Sequence, residues 1–212
     1  TISPQMCARL LGKGVASARI VEFRNWATLE AGPDQPSAAG YRKEWGLNRP
    51  HVALYSGSIA NKQGIDLLID AARRLQHRHD LTFVICGDGP ERARLIERAE
   101  GLDNIQFRPL QPHARLRELL SLASVHLLPQ IAGAADLLLP SKLANMLASG
   151  RPVLATAVPG SGIAMEVDKC GLLVPPGDAH AFAAAMERLV DDTALRERLG
   201  TSGKIRAHEH WS

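Results

Sequence analysis

Lys62 and Lys142 have the surroundings best suited to chemistry on an anion. Lys62 lies in Tyr55-Ser56-Gly57-Ser58-Ile59-Ala60-Asn61-Lys62-Gln63-Gly64 and Lys142 in Pro140-Ser141-Lys142-Leu143, each between a β-rich apolar run and an amphipathic helix. Glycine lets backbone approach a ligand closely, a helix start offers N–H groups that its own turns cannot use, and lysine adds a positive charge. That combination suits a phosphate group. Neither segment is a Walker A loop, because no Gly-Lys-Ser/Thr follows at the required spacing. Alone, the first reads as a tight turn with a surface lysine before it reads as a phosphate cradle. In the second, Ser141 is the expected N-cap and Gly150 the expected stop. Amides left over by the cap are available to a diphosphate, and a capped structural helix with a solvated lysine is the competing reading.

Two further loops carry less. Cys86-Gly87-Asp88-Gly89-Pro90-Glu91 precedes a helix whose first turn is expected to hold Pro90 and Glu91. A dinucleotide fingerprint would need glycine where Arg92 stands, so nucleotide contact and a plain connecting turn remain as alternatives. Pro159-Gly160-Ser161-Gly162, with Glu166 beyond it, and Gly171 through Asp178 read as structural. Asp178 is the expected cap of a helix containing Phe182, Met186 and Leu189. His77 and His79, like His208 and His210, are two residues apart, which turns each pair to different sides of a helix and favours exposure over shared metal ligation.

The loops are set by a repeating pattern. Apolar β-rich runs at 52–56, 81–86, 105–108, 124–128, 152–156 and 172–174 alternate with helical segments. In the first helix Ile65, Leu68, Ile69, Ala72 and Leu75 recur on one face. Phe83-Val84-Ile85 is continuously apolar, as parallel strands covered on both faces require. The pattern predicts a doubly wound, Rossmann-like α/β sheet with helices on both faces, whose ligands sit beyond the carboxyl ends of the strands. Residues 1–26 read as a helix and a short strand around Ile20 to Phe23, and 27–50, holding Gly32, Pro33, Pro36, Gly40 and Pro50, as a linker. Residues 51–212 then form the main domain.

Composition narrows the class. With 45% hydrophobic and 22% charged residues, and no apolar run near the ~18 residues of a membrane span, neither disorder nor a membrane helix is indicated. A net charge of +3, spread through the helices, is too weak to argue for nucleic acid. Cys7, Cys86 and Cys170 form an odd set without a Cys-x-x-Cys pair, which points to reduced thiols in the cytoplasm and away from a zinc site. The chain opens on Thr1 without a signal-peptide centre, so the natural protein is expected to begin upstream.

In order and spacing, these segments resemble the C-terminal domain of retaining glycosyltransferases of the GT-B fold, in the large family that includes glycogen and sucrose synthases and bacterial polysaccharide enzymes. The resemblance rests on Gly57 through Gly64, Gly87-Asp88-Gly89-Pro90, Asn104-Ile105-Gln106-Phe107, Ala148-Ser149-Gly150-Arg151-Pro152-Val153 and Gly171 through Asp178. Leu54-Tyr55-Ser56-Gly57 and Pro140-Ser141-Lys142-Leu143 are most similar to the branch that builds colanic acid and related exopolysaccharides.

The resemblance implies a UDP- or GDP-sugar donor, no other cofactor and no metal. It gives Lys62 contact with the donor diphosphate; Lys142, which opens a helix on the same sheet edge, is expected to share with Lys62 the catalytic work of meeting charge on the departing diphosphate. Gly57, Ser58, Gly87, Asp88 and Gly89 join them around the donor, with the amides of Ser141 to Leu143 beneath the diphosphate and the backbone of Arg108, Pro109 and Leu110 reading the base. This chain departs from the family at three positions. Ser58 replaces a frequent arginine, and Leu137 and Asn145 replace two glutamates, the second of which usually holds the ribose hydroxyls, a task expected to pass to the neutral amide of Asn145 in the donor site. The implied acceptor is a saccharide or lipid-linked sugar bound by a missing N-terminal domain, of which 1–26 would be a remnant. Both chain crossings to that domain are expected to be cut, leaving the fragment inactive alone and the catalytic base unnamed. A cytoplasmic protein follows, and the resemblance allows peripheral association with the inner face of the plasma membrane. A nucleotide-sugar epimerase and a non-catalytic nucleotide-binding partner share the fold and remain as alternatives.

Overall fold

The structure, a computed structural model, describes residues 4–21, 27, 37–133 and 140–211. Strands β1 (His51–Ser56), β2 (Leu81–Cys86), β3 (Ile105–Arg108), β4 (Val125–Leu128), β5 (Val153–Thr156) and β6 (Gly171–Val174) fall where the apolar runs predict them. All pair in parallel, in the order β3-β2-β1-β4-β5-β6. Every residue of β2, β4 and β5 is buried, because helices cover both faces.

Successive strand residues feed opposite faces. Ala53, Tyr55, Phe83 and Ile85 pack on one side with α3 (Asp66–Arg74), α4 (Arg92–Arg98) and α8 (Ala179–Asp191). Val52, Leu54, Val84 and Cys86 pack on the other with α2 (Ala39–Trp45) and α5 (Leu116–Ser121), and Val153 and Ala155 with α6 (Ser141–Ala148) and α7 (Gly162–Val167). The predicted face of α3 is buried throughout. The last helix, α9 (Thr193–Trp211), starts with Leu195 and Leu199 in the first cluster and ends with Ala207 and Trp211 on the opposite face. None of the helices among the described residues is long and apolar enough to cross a membrane.

The stretch read as a linker differs from expectation. Its second half forms α2, which buries Tyr41 and Trp45 and ends on Gly46 in the left-handed conformation. Tertiary packing of two aromatics one helical turn apart outweighs the breakers nearby, one of which marks the end of a helix. Residues 28–36 lie outside the described set. Ahead of them α1 (Pro4–Gly12) and a 3-10 turn at Ser17–Arg19 are present; Ile20 and Val21 form no strand, and 22–26 also lie outside. The helix after β2 starts at Arg92, so Pro90 and Glu91 precede it.

Candidate functional site

Strand order reverses between β1 and β4, and the loops leaving those strands border the crevice where doubly wound folds hold ligands. The loop after β1 joins its neighbours on both sides. Toward β2, Gly57 N–H donates to the Cys86 carbonyl at 3.0 Å and Ile59 N–H to that of Asp88 at 2.8 Å. The approach is so close that a Cβ on Gly87 would lie 1.8 Å from the Gly57 oxygen, and one on Gly89 2.2 Å from that of Ile59. Only glycine fits either position. Toward β4, Ile131 N–H donates to the Lys62 carbonyl, and Gly64 packs on the Gln130–Ile131 backbone. Thr156 fixes that segment by accepting from Gln130 N–H at 2.7 Å and donating to its carbonyl at 2.9 Å.

Lys142 enters from the other side. Its ammonium lies 4.1 Å from the centre of the buried Tyr55 ring, and its terminal atoms reach 3.5 Å from where a Gly57 side chain would begin. Although part of the residue is exposed, the ammonium is packed against protein, and burial pushes its pKa down to about 7. Among the described residues it meets no carboxylate or hydrogen-bond acceptor, only the electron-rich ring face. Tyr55 is held by its hydroxyl, which donates to the Ser58 carbonyl at 2.6 Å, and burial raises its own pKa.

Several expectations need correction. Ser141 is not the cap of α6 but its first residue; Pro140 is the N-cap, and no side chain accepts from the first turn. Leu143 N–H is bonded to the Pro140 carbonyl, which leaves the Ser141 and Lys142 amides without partners among the described residues. Lys62 does not open a helix: it sits in a single 3-10 turn, Asn61–Gln63, before α3 begins at Asp66. Lys62 and Ser58 are exposed. Gly87 and Gly89 admit the first loop, and the Asp88 carboxylate accepts from Gly89 N–H.

The loop after β3 is largely self-satisfied. The Arg108 carbonyl accepts from Gly87 N–H, and the Pro109 carbonyl accepts from the Cys86 thiol at 3.2 Å and the Gln111 amide at 2.8 Å. Leu110, 66% exposed, keeps both backbone groups free among the described residues. The Arg108 side chain turns inward, donating to the Trp45 carbonyl and Gln106. Asp178 caps α8 as expected, Glu166 is buried against Arg206, and His77, His79, His208 and His210 are exposed.

These loops, in this order around this crevice, invite comparison with known proteins. Residues 50–192 match the profile of the family described as Glycosyl transferases group 1. The chain belongs to that family. It is 40% identical over 162 residues to the colanic acid biosynthesis glycosyl transferase WcaI of Escherichia coli, covering 74% of this chain and 40% of that protein. The crystal structure of WaaG, a glycosyltransferase involved in lipopolysaccharide biosynthesis, aligns with 98% of the chain and 57% of its own at a TM-score of 0.77 and 21% identity. Anabaena HepE in complex with UDP-glucose aligns with 97% of the chain and 57% of its own, at a TM-score of 0.78 and 16% identity. The likeness establishes the GT-B type of fold, and the chain spans about two fifths of the curated relatives' length.

In this group 1 glycosyltransferase domain the family's glutamate positions are divided. Asn145 lies partly buried on α6, whereas Leu137 falls outside the described residues. One buried polar residue escapes sequence reasoning. His126 in β4 is fully buried, and its Nε2 lies 2.9 Å from Ser149 Oγ. The Ser149 hydroxyl already donates to the Met146 carbonyl, so the imidazole must donate through Nε2, leaving Nδ1 without a partner among the described residues. Burial, with Arg151 nearby, lowers its pKa to about 3 and keeps it neutral. Its signal was a lone histidine inside an apolar strand, which reads as a satisfied core residue.

Proposed function

We propose that the chain is the donor-binding part of a retaining glycosyltransferase, holding the diphosphate of a UDP- or GDP-hexose between the Gly57 loop and the start of α6. The observation that carries this reading is the ammonium of Lys142, packed against Tyr55 and Gly57, on a helix whose Ser141 and Lys142 amides have no partner among the described residues. As the bond to the sugar breaks, charge grows on the departing diphosphate. Fixed amides and a lysine already in place stabilise that charge without reorganising, each contributing on the order of 3 kcal/mol in a dry site. Lys62, on the rim, adds a screened charge. No metal is needed in this scheme. The Leu110 peptide is the part of the 108–110 loop open to a base.

WcaI and WaaG, named for colanic acid and lipopolysaccharide biosynthesis, and HepE, solved with UDP-glucose, support a nucleotide-sugar donor and a saccharide acceptor. In this proposal the acceptor is a saccharide or lipid-linked sugar, the site is cytoplasmic, and the rest of the protein brings the acceptor and any contact with the membrane face. One observation favours a second reading, a non-catalytic nucleotide-binding partner: the family glutamates are Leu137 and Asn145 here. Titrating the chain with UDP, GDP, ADP and their sugars tests the donor site, since saturation a hundredfold above Kd should add about 2.7 kcal/mol of stability. No stabilisation by any of them would sink the proposal. Nucleoside diphosphate release by the whole protein, with and without acceptor, separates transferase from silent partner.

A further inference from the structure

The loop presumed by this scheme to face the base is held from behind by a helix outside the crevice. On α2, the fully buried Tyr41 donates its hydroxyl to Gln111 Oε1 at 3.1 Å, and the other end of that amide, Nε2, donates to the Pro109 carbonyl at 2.8 Å. Having both ends of the amide engaged fixes its orientation. The Tyr41 ring is clamped in turn, with the Arg115 guanidinium 3.8 Å above its centre and the Trp45 ring 4.4 Å away. Arg115 is anchored by Glu44 and Glu118, one from α2 and one from α5. Leu110 lies between Pro109 and Gln111, which the bond from the Gln111 amide ties together, and neither of its backbone groups has a hydrogen-bond partner among the described residues.

We propose that Tyr41 is a positioning residue for nucleobase selection: by fixing Gln111 it sets the direction of the Leu110 peptide, and so decides which base edge the donor site accepts. The proposal rests on the donor-site reading above. A base is discriminated by where one N–H and one C=O point, so a small rotation of that peptide exchanges the favoured base without disturbing the phosphates.

The test is calorimetric titration of the chain with UDP, GDP, ADP and inorganic pyrophosphate. In the wild type the three nucleotides should differ in affinity. Tyr41→Phe, which removes the hydroxyl and keeps the ring under Arg115, should draw them about three- to tenfold closer together, the worth of one neutral hydrogen bond, with pyrophosphate affinity unchanged. Gln111→Ala, at a half-buried position that folding tolerates more easily, should reduce the spread further, and adding Tyr41→Phe to it should do nothing more. An unchanged spread in Gln111→Ala, or equal losses for all four ligands, overturns the positioning role. Pyrophosphate and nucleotides bound alike by the wild type leave the donor site standing and refute base selection, whereas binding of none refutes both.

Discussion

Lys62 and Lys142 come from the same edge of one sheet, and they are built in opposite ways. Lys62 is exposed on a 3-10 turn whose carbonyl, not its ammonium, joins the packing through Ile131. Lys142 is folded into the crevice against Tyr55 and Gly57 with no counter-charge among the described residues. Water already solvates the first ammonium, so placing it near an anion gains little. The second has lost that water to protein, and an arriving diphosphate would replace it. The difference teaches that a lysine's worth to an anion site depends on how much solvation it surrendered on folding. The resemblance expects an arginine where Ser58 stands, and the Lys142 side chain reaches the neighbouring Gly57.

The largest expected effect breaks the comparison outright. Lys142→Ala should weaken nucleoside diphosphate binding by about 2–3 kcal/mol while leaving nucleoside binding nearly unchanged, as calorimetry would show. The binding should also be linked to protons. With its pKa near 7 Lys142 is neutral above that value, and an anion favours its charged form. Affinity should therefore fall between pH 7.5 and 9, a window in which the terminal phosphate is already ionised because its second pKa is about 6. Lys142→Ala should flatten that slope; a slope that survives unaltered would assign the proton elsewhere.

Stability offers a second, smaller test. Because the folded pKa lies below the ordinary lysine value, the unfolded chain binds more protons between about 7 and 10.5. The penalty for burying the charge is then complete below pH 7 and vanishes as pH rises through that window. Lys142→Met should raise stability by on the order of 1–2 kcal/mol at pH 6, with the gain shrinking toward pH 10 in denaturant titrations. Lys62→Ala comes third. It should cost less than about 1 kcal/mol of diphosphate affinity and lose even that in high salt, whereas the Lys142 effect persists. Equal salt sensitivity would erase the distinction between the two lysines.

The contrast was only half readable in the sequence. Strand and helix positions followed from apolar runs and from the face Ile65 to Leu75, since burial on a parallel sheet imposes those periods on each segment separately. The Asp178 cap followed for the same reason, being a bond within three residues. What spacing left unread depended on packing contacts and helix ends. Gly87 and Gly89 owe their identity to the backbone of Gly57 and Ile59, a contact with no characteristic spacing. Ser141 looked like a cap because the type fits, yet it is the first residue of the helix, and Pro140 takes the cap position. The α2 helix was hidden by the breakers around it, although Tyr41, Trp45 and Gly46 already form a helical pair followed by a stop. Lys62 and Lys142 could be named as a pair from sequence, but solvent exposure, which separates them, is a property of the folded chain.

The smallest expected effect concerns the position that the resemblance marks as changed. If Lys142 stands in for an arginine after Gly57, then Ser58→Arg places two cations over one anion in the wild type. Their mutual repulsion would offset most of the new attraction, and burial makes the offset easier, because Lys142 can answer by releasing its proton. Diphosphate affinity should then change by no more than a few tenths of a kcal/mol, the scale of an exposed charge pair. In a Lys142→Ala background that repulsion is gone and the crevice has room, so the same arginine should recover about 1 kcal/mol through charge-assisted hydrogen bonds. The measurement is a double-mutant cycle on diphosphate affinity, in which the coupling between positions 58 and 142 is the quantity of interest. Additive changes would mean that the two side chains serve separate oxygens, and the crevice would then hold room for both cations at once.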